Sequence, residues 1–215
     1  MSKLDELIQS LCPDGVERFR LGDVVEVRSG WGFPHNEQGR QDGKFPFYKV
    51  SDMNLHGNEI EMHLANNYIS ERVVKKLGSH PAPAGTVIFP KIGAAIGTNK
   101  KRILVQPSCY DNNVVGLVPT VRINPKFLFF LIQGIDILTF ADFSGALPSI
   151  KKSTLEKYLI PLPPLEVQEE IVRILDKFTI LEAELEAELE AECKARSKQY
   201  TFYRDRLLSF KEAKK

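Results

Sequence analysis

Cysteine is scarce in this chain, and none of it is spaced for a disulfide framework or a metal. Cys12, Cys109 and Cys193 are an odd number and lie far apart, which argues against a thiolate zinc site and for reduced thiols. His35, His56, His63 and His80 show no ligand spacing either. The longest apolar run, Phe127 to Ile132, falls far short of the about 20 residues that span a bilayer. The opening Met-Ser-Lys-Leu-Asp-Glu lacks the apolar core of a signal peptide. A cytoplasmic location with no membrane partner is expected. Catalytic signatures are missing too. There is no Walker-type Gly-Lys-Ser/Thr loop, no glycine-rich cofactor loop and no Asn-Pro-Pro-aromatic motif; Asn124-Pro125 is followed by Lys126. Asp52, Glu59 and Asp111 are scattered acids in turns, where carboxylates are far more often caps than nuclease ligands. Neither catalysis, metal nor cofactor is expected within the chain.

What remains is ordinary in bulk and unusual in arrangement. The 215 residues are 43% hydrophobic and 27% charged, with net charge +1. The charges are sorted along the chain. Residues 1–70 are net −4, residues 71–102 net +6 and residues 103–165 net +1. Residues 166–192 carry net −8 and residues 193–215 net +6. A neutral total therefore hides one basic segment and a C-terminal stretch with an acidic and a basic half.

That C-terminal stretch starts at Pro163-Pro-Leu-Glu-Val-Gln-Glu-Glu-Ile and runs to Phe210 without an internal Gly or Pro. As one helix it would be about 70 Å long at roughly 1.5 Å per residue, too long for a small domain to cover. Its apolar seam reads Ile171, Ile174, Phe178, Leu181, Leu185, Leu189, Cys193, Arg196, Tyr200, Tyr203, Leu207 and Phe210. This is a heptad pattern with one four-residue insertion near Leu185–Leu189. The alternatives are a helix lying along its own domain, or a solvated single helix that leaves its leucine stripe wet. Parallel pairing would set each charged half against its own copy, whereas antiparallel pairing sets acid against base along most of the length. An antiparallel coiled coil is therefore expected, made with a second copy of this chain or with a second similar helix in a longer parent.

The preceding residues read as one α+β domain of short strands broken by turns, with a curved mixed sheet. Domains are set at 1–162 and 163–215. Helices are expected at 3–11, 71–77, 125–135 and 153–157, and strands near 16–28, 45–50, 85–91, 103–105 and 114–118. Asn124-Pro125 is a good helix start. Residues 145–150 are expected to form a loop.

The basic segment offers candidate DNA contacts. Lys91, Lys100, Lys101 and Arg102 flank the Gly93–Gly97 turn, with Thr98 and Asn99 at its tip. Lysine neutralises phosphates, while Asn and Arg suit bidentate contacts to adenine and guanine edges. The bland reading is a solvated basic turn. Gly30, Trp31 and Gly32 form a second candidate loop, in which Trp31 reads equally well as a core residue. Asn54 and His56 form a third, and Lys151, beside Lys152, is placed to hold the phosphate backbone.

The segment Gly145-Ala-Leu-Pro-Ser-Ile, followed by Leu155 and by Ile160-Pro-Leu-Pro-Pro-Leu-Glu-Val-Gln-Glu-Glu-Ile-Val, resembles specificity subunits of type I restriction–modification systems. There it marks the junction between a target recognition domain and a long conserved-region helix. Gln199-Tyr-Thr-Phe-Tyr-Arg-Asp-Arg-Leu-Leu-Ser-Phe is similar to the end of that helix. Phe47 to Met53, Pro83 to Gly93 and Asp111 to Leu117 follow the looser recognition-domain pattern. Most members have two recognition domains and two helices, packed antiparallel, and this chain has one of each. It therefore resembles a half-subunit that forms a homodimer, or the first half of a longer chain. The resemblance implies a non-catalytic reader of one half of a split double-stranded DNA site. It also implies docking to methyltransferase (modification) subunits that carry S-adenosylmethionine and to a restriction/motor subunit, with ATP and Mg confined to those partners. The competing reading is a coiled-coil scaffold whose globular head binds another protein.

Overall fold

A computed structural model describes residues 2–210; Met1 and residues 211–215, the last of the expected helical domain, lie outside the described residues. In chain order the first elements are α1 (Lys3–Leu11), β1 (Arg18–Arg20), β2 (Val25–Ser29), β3 (Phe45–Tyr48), β4 (Glu61–Met62), β5 (Tyr68–Ile69) and α2 (Glu71–Leu77). Next come β6 (Val87–Pro90), β7 (Arg102–Leu104), β8 (Cys109–Tyr110), β9 (Val114–Pro119) and α3 (Pro125–Gln133). The chain ends with β10 (Ala141–Asp142), β11 (Ser149–Ile150), α4 (Lys152–Lys157), β12 (Leu159–Pro161) and α5 (Leu165–Leu208). The expected α+β class and long terminal helix are therefore present. Residues 149–150, expected within a loop, are a strand instead. Phe210 lies two residues past the helix end.

The chain divides into two compact units at Val172/Arg173, ten residues beyond the expected 162/163 boundary. The first two turns of α5 belong to the first unit because Val167 and Val172 are buried there. In that unit a five-stranded sheet has the order β2-β9-β6-β7-β4, antiparallel except for the β4–β7 pair. A three-stranded sheet, β5-β3-β8, and the two-stranded ladders β1–β12 and β10–β11 complete it.

The large sheet is covered on both faces, and residue alternation assigns the sides. Val87 and Phe89 of β6, with Val115 and Leu117 of β9, join Phe127, Leu128 and Ile132 of α3 in the main core. Ile88 and Val114 face the other way, onto Tyr48, Met53, Met62 and Tyr110. Gly116 of β9 is required by a close approach: a Cβ there would lie 2.2 Å from the Tyr110 hydroxyl oxygen.

Polar side chains fix the connections. Asn124 caps α3 by accepting from the Lys126 and Phe127 amides at 2.9 and 3.2 Å. The Asn124 amide in turn donates to Gln168 Oε1 at 2.8 Å, while Gln168 Nε2 donates to the Pro163 carbonyl at 2.8 Å. Gln168 is fully buried, so this one residue of the Pro-Pro-Leu-Glu-Val-Gln motif ties the start of α5 to the start of α3. Asn58, also fully buried, donates to the Asp52 and Leu64 carbonyls and accepts from the His63 and Leu64 amides, at 2.7–3.0 Å. It organises the turn that precedes β4.

In the second unit, residues 173–208 continue the helix, with Glu190–Lys194 at 2.6 Å and Glu192–Arg196 at 2.7 Å bridging the border of acidic and basic halves. Phe178, Leu181, Leu185, Leu189, Tyr200, Tyr203 and Leu207 are each at least half exposed. No helix among the described residues is long and apolar enough to cross a membrane.

Candidate nucleic-acid interface

Strand direction gathers most of the candidate loops at one end of the five-stranded sheet. Ser29 pairs with Val115, and Pro90 with Val114. The end of β2, the start of β9 and the end of β6 therefore lie side by side. Since β7 runs antiparallel to β6 and β4 parallel to β7, the starts of β7 and β4 share that end. It is thus ringed by residues 29–34, 54–60, 91–101 and 111–113.

Each loop is held by backbone pairing. The Gly30 amide donates to the Val114 carbonyl at 3.2 Å and the Trp31 amide to the Tyr110 carbonyl at 3.0 Å. A Cβ on Gly30 would stand 2.0 Å from the Asp111 carbonyl oxygen, so that close approach requires glycine at this position. Trp31 is half-buried and leans on Tyr110, ring centres 6.2 Å apart. It is neither wholly core nor freely displayed.

Lys91 is half-buried, and its ammonium donates to Ser29 Oγ at 2.9 Å. Burial lowers its pKa. Its backbone carbonyl accepts from the Ile150 amide at 2.9 Å, which brings Lys151 to the same end. Lys151 pairs with Asp142 at 2.5 Å. On the opposite flank the Lys100 ammonium meets Asn54 Oδ1, and His56 meets Glu59 at 3.0 Å. Thr98 is exposed and donates to the Ala95 carbonyl at 2.7 Å.

Lys101 and Arg102 are corrections. Lys101 is 1% exposed and Arg102 9% exposed, so neither reaches a phosphate or a base edge from this conformation. The Lys101 ammonium points at the Gln133 carbonyl, 3.4 Å away at the C-terminal end of α3, where the helix dipole favours a cation. Arg102 donates to the Lys101 and Met53 carbonyls at 2.8 and 3.0 Å. Asn99 is exposed but committed in part: it sits in the left-handed region at φ 53, and its Oδ1 accepts from the Ile137 amide at 3.0 Å. Asn99, Lys101 and Arg102 therefore mainly brace the turn.

Several residues at this end were not among the DNA contacts expected from the sequence. Asn112 and Asn113 are exposed before β9, and Asp111 Oδ1 accepts from the Asn113 amide at 3.0 Å. Lys49 lies with its ammonium 5.3 Å from the Phe33 ring centre, donating to Gln38 at 2.8 Å. The Asp-Asn-Asn triplet was the available signal, since Asn and Asp favour such turns. Asp52 accepts from Asn66 and from the Lys49 amide, which makes it a capping residue. Among the described residues no three His, Cys, Asp or Glu side chains gather to hold a metal.

Residues 13–194 match the type I restriction modification DNA specificity domain. The chain belongs to that family. Type I specificity relatives include the EcoprrI specificity subunit of Escherichia coli, 31% identical over 99% of this chain and 54% of the relative. The EcoR124I/EcoR124II specificity subunit of Escherichia coli is 29% identical over 91% of this chain and 48% of its own length. A chain solved in work on complex assembly and conformational transition of the type I R-M system has a TM-score of 0.69 at 20% identity, over 92% of this chain and 48% of its own. The HsdS subunit of Thermoanaerobacter tengcongensis has a TM-score of 0.59 at 19% identity, over 83% of this chain and 42% of that one. At these identities the likeness is one of fold. The chain spans about half the length of the curated relatives it matches.

Proposed function

We propose that this chain reads one half of a bipartite double-stranded DNA site for a type I restriction–modification complex, itself performing no catalysis. The observation that carries this reading is the convergence of four loops at one sheet end in a member of a DNA specificity family. Lys91, Lys100 and Lys151 supply phosphate contacts there, while Asn54, Thr98, Asn112 and Trp31 face the grooves. The second unit pairs antiparallel with the same helix of a second copy, giving two heads related by a two-fold axis. Methyltransferase subunits carrying S-adenosylmethionine dock on this frame, followed by a restriction/motor subunit that uses ATP and Mg.

Sequencing of methylated bases in cells carrying this chain with its modification subunits tests the reading. A split motif whose two halves are inverted repeats is expected from a homodimer. Methylation at an unsplit site, or a methylation pattern unchanged by deletion of the gene, overturns it. Binding of purified complexes to that motif should weaken steeply with salt as phosphate contacts release counterions.

A further inference from the structure

We infer that α5 pairs with its twin about a two-fold axis at the level of residue 187, seating Leu185 against the twin's Leu189 and Leu181 against its Cys193; this rests on the homodimer reading above. The seam spacing carries the argument. Counting outward from residue 187, apolar positions fall 2, 6, 9, 13 and 16 residues away on one side, at Leu185, Leu181, Phe178, Ile174 and Ile171. On the other side the same distances give Leu189, Cys193, Arg196, Tyr200 and Tyr203. Reversing the chain about this level lays the seam on itself position for position. The four-residue insertion, which would throw any other alignment out of step, is centred on the same level.

Packing chemistry agrees. Turning one helix around exchanges the three- and four-residue steps, so an a position of one copy meets a d position of the other. Every pairing about residue 187 obeys that rule. The charged member is accommodated as well, since Arg196 falls opposite Phe178 and can lay its guanidinium on the ring. Ile171 packs against the core of its own domain, so the outermost layer free for the twin is Ile174 with Tyr200.

Charge alone would choose differently. The acidic stretch ends at Glu192 and the basic one begins after it. Full charge pairing would slide the axis to Cys193 and bring the two Cys193 thiols face to face. That alignment sets Cys193 against its own copy but Leu189 against Ser197 and Leu185 against Thr201, so the apolar seams fall out of phase. Burying the leucine layers outweighs the repulsion of exposed glutamates, which solvent and salt screen.

Cys193 is the one exposed cysteine, and it reports the register directly. A disulfide needs Cα atoms within about 7 Å. About residue 187 the two Cys193 lie twelve residues apart along the pair, roughly 18 Å at 1.5 Å per residue, and cannot join. With Leu181→Cys, each new thiol faces the twin's Cys193. Full-length protein is oxidised with diamide, which takes up the two electrons and two protons of each disulfide, and is run on a non-reducing gel beside its sedimentation mass. The wild type should remain uncrosslinked, Leu181→Cys should run as a dimer, and adding Cys193→Ser should abolish the band. A wild type that crosslinks through Cys193 overturns the register, as does a Leu181→Cys dimer by mass that forms no bridge. A monomeric mass overturns both the register and the homodimer reading beneath it, whereas DNA reading by the head stands or falls separately in the methylation experiment.

Discussion

Ten residues separate Lys91 from Lys101, and burial separates their roles. Lys91 keeps its ammonium at the rim of the loop cluster beside Ser29, whereas the Lys101 ammonium is closed in against the end of α3. Lys91→Ala should weaken DNA binding of the assembled complex at every sequence and reduce the slope of log affinity against log salt by about 0.9. Lys101→Ala should leave that slope unchanged and cost about 1–3 kcal/mol of stability, read by urea unfolding. Asp111 adds a pH signature. Burial raises its carboxyl pKa, against the pull of the Asn113 hydrogen bonds and Lys49. A folded value above the unfolded one, about 3.9, means the stabilising contribution is present in acid and is lost as pH rises through the raised value. The stability of Asp111→Asn relative to wild type should therefore climb across that window and level off above it; a flat difference across the acid range would refute the assignment. Residue type located these side chains near DNA-binding chemistry, but burial is a tertiary property. Nothing in Lys-Lys-Arg told which cations a helix end would cover.

At the scale of elements, the start of α5 depends on one amide. Gln168 serves the Asn124 amide and the Pro163 carbonyl together, and Gln168→Ala would strand both inside the domain. About 2 kcal/mol should be lost, seen as a lower urea midpoint with an unchanged slope. Gln168→Glu keeps an acceptor for Asn124 but sets a carboxylate against a carbonyl, so its deficit should shrink as the pH is lowered. The helices were legible because their ends carry chemical marks: Ser70 and Gly78 bound α2, and Asn124-Pro125 opens α3. The strands β4, β5, β8, β10 and β11 were not, since two residues carry no period; β4, β5 and β8 exist because a distant partner supplies the ladder, and β10 and β11 because they pair with each other. The shared sheet end was equally hidden. It follows from the parallel pairing of β4 with β7, whose partners Glu61 and Ile103 lie 42 residues apart in sequence.

For the assembly as a whole, the two interfaces should respond to salt in opposite directions. Pairing about residue 187 sets Glu182, Glu184 and Glu186 level with the twin's Glu192, Glu190 and Glu188, while the basic residues beyond Lys194 meet a nearly balanced stretch. Exposed like pairs cost a few tenths of a kcal/mol each, and six such levels along the pair sum to about 1–2 kcal/mol, or roughly tenfold in affinity. Screening removes most of that at 0.5 M salt, where the Debye length falls to about 4 Å. The dimer should therefore tighten several-fold between low and high salt, measured by sedimentation equilibrium, while DNA affinity falls over the same range. Replacing Glu184, Glu186 and Glu188 by Gln should give the tighter dimer at low salt and flatten its response. A dimer that loosens with salt would mean that acid faces base at the centre, and with it that charge and not the leucine seam sets the spacing between the two reading heads.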